Sequence, residues 1–460
     1  MSVADASVPG FPSRRIAWYT VIVLMVCYTL SYADRQILAF LVGPMEQDLQ
    51  ITDSEVGLLQ GVAFALVYTL FGLPMGALAD RLSRRNIIAV GVVVWSLATC
   101  VCSIARSFVT LAVARMGVGV GEAALGPCAY SMISDSFPKE RLSTAVSVYS
   151  MGIQLGSGLA LVIGGLIAQA VSHMAPIDLP VVGSIAAWRI TFLLIGVPGL
   201  LIALLVLTLR EPLRRALLVN TNGTVMRLGW AESLAEIRLR WRSTAGLALV
   251  ISCQATCNYA LLGWGPEFFS RLHQWPKGQT GLVLGLTTLI CGCLGLFVGG
   301  RLSDQWQAQG KTDAPLRVGL VTFVGLLLTL VPAMLVPQAS WTVALLVPAV
   351  FCIGLPIGAG YAAIQLIFPN QVRGLVSAIV FLGVALIGLG FGNSLPGLLT
   401  DHLFHDKLKV GWSISLTVTL AVIIGLATLA ATLKPFRADF AAARQPPGGG
   451  NAAAGVAVSA

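Results

Sequence analysis

The chain has 460 residues, of which 56% are hydrophobic and only 11% charged. A soluble globular protein carries about 25% charged residues, and one of this length would break into domains joined by polar linkers. The formal net charge is +9, yet the basic residues form no single patch that would hold a nucleic acid. They punctuate the ends of apolar runs, as lysine and arginine do on the cytoplasmic side of a membrane.

A helical pass through the hydrocarbon core needs about 20 apolar residues. By that measure the sequence predicts twelve spans, at roughly 16–43, 55–79, 86–105, 108–133, 142–171, 187–209, 244–269, 279–303, 316–336, 341–368, 372–400 and 411–433. The first is expected to stay: Arg14 and Arg15 precede an apolar stretch that runs on without a small-residue cleavage site at the right distance. The expected organisation is a cytoplasmic tail (1–15), a six-helix bundle (16–209), a basic connector (210–243), a second six-helix bundle (244–433) and a disordered tail (434–460). In the connector, Met226–Trp241 alternates Leu228, Leu234, Ile237 and Leu239 with charged residues, which suits an amphipathic helix at the membrane interface. With both termini placed inside, most arginines and lysines fall on inner segments, and only Arg106, Arg189, Arg271, Lys277, Lys407 and Lys409 lie outside.

A weak internal repeat supports two matched halves. Gly76-Ala77-Leu78-Ala79-Asp80 closes the second span, and Gly300-Arg301-Leu302-Ser303-Asp304 closes the eighth. Phe137-Pro138 follows the fourth span and Phe368-Pro369 the tenth. Parallel six-span repeats with a midplane site between them are a transporter architecture.

Four charges stand at membrane depth: Asp34 and Arg35 in the first span, Arg115 and Glu122 in the fourth. Charge at that depth costs a few kcal/mol on insertion scales and marks function by default. The two spans run in opposite directions, so depth allows Asp34 to meet Arg115. Neighbouring side chains on a helix diverge by about 100°, so Asp34 and Arg35 need different partners. Arg115 and Glu122, seven residues apart, share a face. None of the four histidines is placed for a midplane relay, so a coupled proton would ride on Glu122 or Asp34. Glu122 is the better carrier if it lacks an immediate cation, since a buried carboxyl without one keeps its proton.

After the second span, Gly76, Asp80, Arg81, Arg84 and Arg85, with Asp304 in the second half, read as a cytoplasmic gate. Gly76 permits close helix approach, Asp80 can hold a partner bundle, and Arg84 and Arg85 are expected in water or at lipid phosphates. The second half offers no deep charge, only isolated polar points: Gln254, Asn258, Tyr259, Tyr361, Gln365 and Asn393. Ser31, Tyr32, Gln154, Asn258, Tyr361, Gln365 and Asn393 are the expected cavity residues. One charged and one apolar wall would fit a solute with a polar head and a greasy body.

Ser31-Tyr32-Ala33-Asp34-Arg35, Gly76-Ala77-Leu78-Ala79-Asp80-Arg81-Leu82-Ser83-Arg84-Arg85 and Arg115-Met116-Gly117-Val118-Gly119-Val120-Gly121-Glu122-Ala123 together resemble the spinster branch of the major facilitators, over the whole transmembrane region. The resemblance implies an all-α membrane protein of twelve spans in two pseudo-symmetric six-helix bundles, in a bacterial inner membrane. It implies a proton-driven carrier of lysolipids or sphingoid-type solutes working by alternating access, without a cofactor or metal. Asp34, Arg35 and Glu122 would be cavity residues tied to proton coupling, with Arg115 assisting. The second-half gate copy departs from the pattern, with Gln305 where an arginine is expected. A proton-coupled exporter of drugs or small organic anions is the alternative, since Arg35 and Arg115 could face a carboxylate as readily as a phosphate. A membrane enzyme would have to use His402 and His405 beside Asp401 and Asp406, and a channel would not need matched gates. A monomer is expected, each chain holding its own pathway.

Overall fold

The computed structural model describes residues 11–79, 81–172, 177–179, 183–213, 230–368 and 370–444. Among them, twelve helical rods from Arg14–Phe40 to Lys407–Ala443 are long and apolar enough to cross a membrane. A helix satisfies most of its backbone polar groups within itself, which is what lipid requires of a spanning segment.

The first half begins with α1 (Arg14–Ile37), which tightens into a short 3-10 turn at Leu38–Phe40. Two short helices, α2 (Val42–Leu49) and α3 (Asp53–Gln60), follow, and α3 runs through a break at Gly61 into α4 (Val62–Ala79). Thr52 and Glu55 form a reciprocal capping box at the start of α3, satisfying two amides that the helix leaves unpaired. Next come α5 (Arg84–Cys102), capped by Ser83, and α6 (Phe108–Glu122), where Ser107 and Thr110 cap each other's backbone. Two further helices, α7 (Leu125–Ser136) and α8 (Lys139–Ser172), lead to a two-stranded antiparallel hairpin, β1 (Ile177–Leu179) and β2 (Gly183–Ile185), and then α9 (Ala187–Leu207).

The second half comprises α10 (Trp230–Leu239), α11 (Trp241–His273), α12 (Lys277–Thr287), α13 (Cys293–Ala308), α14 (Ala314–Ala333), α15 (Ala339–Ile367), α16 (Asn370–Gly383), α17 (Gly392–Leu399) and α18 (Val410–Arg444). Wide π-type turns at Thr288–Gly292 and Val384–Phe391 join α12 to α13 and α16 to α17 into continuous rods. A helix runs over Trp230–Leu239, within the stretch 226–241 expected to lie at the interface; residues 214–229 lie outside the described residues.

An even number of crossings puts both ends of the described chain on one face, called here the terminal side; the opposite face is the far side. The internal repeat is visible in the backbone. Phe137 and Phe368 both leave the helix for an extended conformation (φ −128°, ψ 141° and φ −112°, ψ 141°), because the ring of a following proline disfavours the helical region for the residue before it.

The expected tail over 434–460 needs correction, for α18 continues eleven residues past Leu433 to Arg444. Phe436 and Phe440, one helical turn apart, are buried against Ile367, Phe368 and Val372. The Arg437 guanidinium donates to Asp313 at 2.6 Å, and Ser243 donates to Asp439 at 2.5 Å. The turn is amphipathic, with its apolar stripe just beyond the hydrocarbon, where a count of membrane-spanning residues does not look. Residues 445–460 lie outside the described residues.

The halves meet most closely on the far side. There α3 packs on α17, and α8 on α12. Gly165 and Gly281 face each other so tightly that a Cβ on Gly165 would stand 2.8 Å from the Gly281 Cα. Small residues let membrane helices approach this way.

Candidate functional site

The four deep charges form two neighbouring ion pairs between α1 and α6. The Arg115 Nη1 donates to Asp34 Oδ1 at 2.9 Å, and both side chains are essentially without solvent. Thr99 on α5 donates to the other Asp34 oxygen. Beside it, Arg35 donates from Nε to Glu122 Oε2 at 2.6 Å and pairs through Nη2 at 2.5 Å. Ser31 Oγ donates to the same oxygen at 2.6 Å. Ser31 and Arg35 are four residues apart, so both reach Glu122 from one face of α1. The expected divergence of Asp34 and Arg35, and the Asp34–Arg115 pairing, are therefore both found.

One expectation changes. Glu122 does not stand without a cation; Arg35 is on it. What sets Glu122 apart is asymmetry: Oε2 accepts every bond, while the buried Oε1 has no partner among the described residues. Arg35 is itself boxed by rings, its Cζ lying 5.2, 4.8 and 4.9 Å from the Tyr32, Phe64 and Tyr68 ring centres. Cation–π contact holds the guanidinium where water is scarce.

The glycines of α6 explain how the charged face is held. A Cβ on Gly121 would meet the Trp95 amide nitrogen and the Gly91 carbonyl at 2.5 and 2.6 Å. Only glycine lets α6 lie this close to α5, and that contact fixes the register of Glu122, the next residue.

Beside the cluster lies a half-open cavity of about 120 Å³. Tyr32 and Gln154 line it from the first half. Gln254, Asn258 and Tyr259 from α11 and Thr322 from α14 supply polar points, while Val250, Phe323, Ile357 and Ala363 make much of the rest apolar. It extends to Leu247 and Pro315, near the terminal-side ends of α11 and α14.

Of the expected cavity residues, Tyr32, Gln154 and Asn258 line this space. Ser31 is buried behind it on Glu122. Asn393 does not belong to it: its Nδ2 donates to the Gln60 carbonyl at 3.1 Å, and its own carbonyl accepts from Trp264 Nε1 at 2.7 Å, within the far-side seam. A polar residue in a glycine-rich span reads alike as lining or as interhelical bonding, and here it bonds. The Tyr361 and Gln365 side chains lie outside the described residues.

The expected gate residues also separate. Arg84 is not in water or at lipid phosphates; it is 1% exposed. It donates to Glu211 from Nε at 2.8 Å, to Ser131 from Nη1 at 2.8 Å and to the Pro212 carbonyl from Nη2 at 2.9 Å, and it also pairs with Asp135. Arg85 donates its backbone amide to Glu211 at 3.0 Å and its Nη1 to the Leu209 carbonyl at 3.3 Å. Burying a guanidinium demands paired acids, and Asp135 and Glu211 close the fourth and sixth spans on this same side. Those two acids amid basic residues were the overlooked signal. Gly76 is half-buried, Arg81 and Asp304 are exposed, and Asp80 lies outside the described residues.

Sequence reasoning also missed a far-side cluster in which Arg271 joins Asp53 and Glu46 of the first half. Of the residues an enzyme would have to use, Asp401 accepts the Ser54 amide at 2.6 Å and Asp406 accepts the Leu408 amide at 2.9 Å.

Two six-span bundles around a half-open cavity, with ion pairs buried in one wall, define an integral membrane carrier. The profile of the Major Facilitator Superfamily matches residues 24–393, and the chain belongs to that superfamily. An "MFS-type efflux pump" of Mycolicibacterium smegmatis is 29% identical over 89% of this chain and 91% of its own. "Protein spinster" of Drosophila melanogaster is 29% identical over 66% of this chain, and the match spans 49% of that protein. Among solved structures, a bacterial homologue of the human lysosomal transporter Spinster, inward-facing and unoccupied, superposes with a TM-score of 0.77 at 24% identity, over 95% of this chain and 100% of its own.

Proposed function

We propose that the chain is a proton-coupled secondary transporter of an amphipathic, lipid-like solute, of the lysophospholipid or sphingoid type, working by alternating access. The observation that carries this reading is the cavity's two unlike walls. Ring-boxed Arg35 and the two buried carboxylates stand behind Tyr32 on one side, and a largely apolar wall from α11, α14 and α15, with Gln254, Asn258, Tyr259 and Thr322 as its uncharged polar points, stands on the other. A polar head would sit toward the first half and an apolar body along the second.

In this reading the terminal side faces the cytoplasm of a bacterial inner membrane, following the basic residues on that side. The described state is then open inward, with the far-side seam closed. Residues 210–243 connect the bundles, and each chain works alone. Glu122 carries the proton: the orphaned Oε1 is the site where it adds, and adding it weakens the hold on Arg35, freeing the guanidinium to meet an anionic head. Asp34, anchored by Arg115 and Thr99, remains the fixed counter-charge. Gly76, Asp80, Arg81, Arg84, Arg85 and Asp304 then belong to the cytoplasmic closure formed in the opposite state, with Arg84 bracing the first bundle. The alternative, export of drugs or small organic anions, is favoured by the long match to the efflux pump and uses the same arginines.

The test is proteoliposome uptake of a labelled lysolipid, with and without a proton gradient, for wild type and Glu122→Gln. Gradient-stimulated uptake lost in the variant supports the reading. Stimulation unchanged in Glu122→Gln removes Glu122 from coupling, and competition by organic acids but not lysolipids moves the substrate to the alternative.

A further inference from the structure

The far-side seam holds a second group of buried charges, which shares no residue with the α1–α6 cluster. From the first half come Glu46 on α2 and Asp53 on α3; from the second come Glu267 and Arg271 on α11 and Lys407 in the turn before α18. Arg271 is the hub. Its two Nη atoms grip Asp53 bidentately, both at 2.7 Å, and its Nε donates to Glu267 at 2.8 Å. With those bonds made, little is left for Glu46, whose oxygens stand 3.3 and 3.4 Å from Nη2.

Glu46 therefore leans on Lys407, at 2.5 Å, whose side chain is 54% exposed. A cation so open to water screens a buried acid weakly. The other charges nearby are committed. Lys277 donates to the Phe40 carbonyl at 2.6 Å, Asp48 is held by Arg189 and Trp188, and Asp401 caps the start of α3. Because Glu46 and Asp53 share the Arg271 Nη2, the two carboxylates are neighbours. As an anion Glu46 brings a third buried negative charge against one buried arginine. As a neutral acid it does not.

We propose that Glu46 is a second proton-binding site of this transporter, a latch in which taking up a proton closes the far side and losing it lets the halves part. The group's own setting agrees: burial, followed by the neighbouring Asp53, pushes the Glu46 carboxyl up to about 8, against the pull of Lys407 and Arg271. In a parted, hydrated seam Glu46 returns to the ordinary value of about 4.3. Closure then takes up one proton anywhere between those limits. The closed state is most favoured at low pH, weakens as pH rises through that window, and levels off above it.

The site is independent of the coupling role proposed for Glu122, and the experiment keeps the two apart. Spin labels at Gln47 and His402, exposed far-side positions on opposite halves, are placed in a background with the nine cysteines replaced, and their separation is read in nanodiscs from pH 5 to 9. For wild type, the ratio of long to short distances is expected to rise with pH, at most about tenfold per unit, and to flatten above about 8. Glu46→Gln should hold the short distance throughout. Lys407→Gln, which removes the cation from Glu46, should move the pH at which the response flattens upward. Glu122→Gln should leave the response in place. A wild type without pH response overturns the proposal, as does a response that survives in Glu46→Gln or disappears in Glu122→Gln. If Glu46→Gln does not fold, the pH at which the Lys407→Gln response flattens decides: an upward move supports the latch, and no move or a downward one overturns it.

Discussion

Breaking the Asp34–Arg115 pair from one side should be far more damaging than removing it whole. Both side chains are 2% exposed, and the bond is 2.9 Å long. Charges about 4 Å apart attract by about 4 kcal/mol at an effective dielectric near 20, and each has been stripped of water at a cost of several kcal/mol. Asp34→Leu leaves a buried guanidinium with no counter-ion, and Arg115→Met leaves a buried carboxylate held by Thr99 alone; each should cost roughly 3–5 kcal/mol. The double variant removes both desolvation costs together with the attraction and should fall within about 1 kcal/mol of wild type, or above it. Thermal unfolding in a single detergent, read as retained monodisperse protein across the four members of the cycle, measures this. A double variant as damaged as the sum of the singles would refute the view that the two groups form one closed pair.

Gly165→Val should prevent the α8–α12 contact, since its Cβ would stand 2.8 Å from the Gly281 Cα and 2.6 Å from the Lys277 carbonyl; solvent accessibility of a far-side probe should rise while the protein stays folded. Phe436→Ala should cost about 3–5 kcal/mol, as for other buried phenylalanines, and truncation after Leu433 should cost at least as much, both read by thermal melts. Glu211 gives a pH signature. Burial opposes its charge, but the Arg85 amide, the Arg84 guanidinium and the Ser83 hydroxyl together hold its carboxyl below the ordinary range. The stability it adds is therefore present above about 4.3 and lost as pH falls through the depressed value, so wild type and Glu211→Gln should differ in melting temperature at pH 6 and converge toward pH 3.

What the sequence disclosed follows from how strongly lipid constrains a chain. Twelve apolar runs leave little choice but helices, and charges within them could be matched by depth and direction alone, which is how Asp34 came to be set against Arg115. Residues at the ends of spans obey looser rules. A terminal arginine such as Arg84 reads the same whether it dangles or is buried, because its acids, Asp135 and Glu211, come from other spans. Glu46 and Arg271 are 225 positions apart, and the loop charges around them carry no periodicity. Asn393 failed for another reason: a midspan amide signals a hydrogen bond, and only packing decides whether it goes to a solute or to a neighbouring backbone.

All four midspan charges ride on the first bundle, as two compact pairs of opposite sign. In the alternating-access motion proposed above, each pair travels as a unit and carries no net charge through the electric field across the membrane. A membrane potential exerts about 2.3 kcal/mol per elementary charge per 100 mV only on charge that crosses it. The empty carrier should therefore turn over almost indifferently to voltage. Any current recorded during transport would measure what the cargo and the proposed proton bring, not the machinery that moves them.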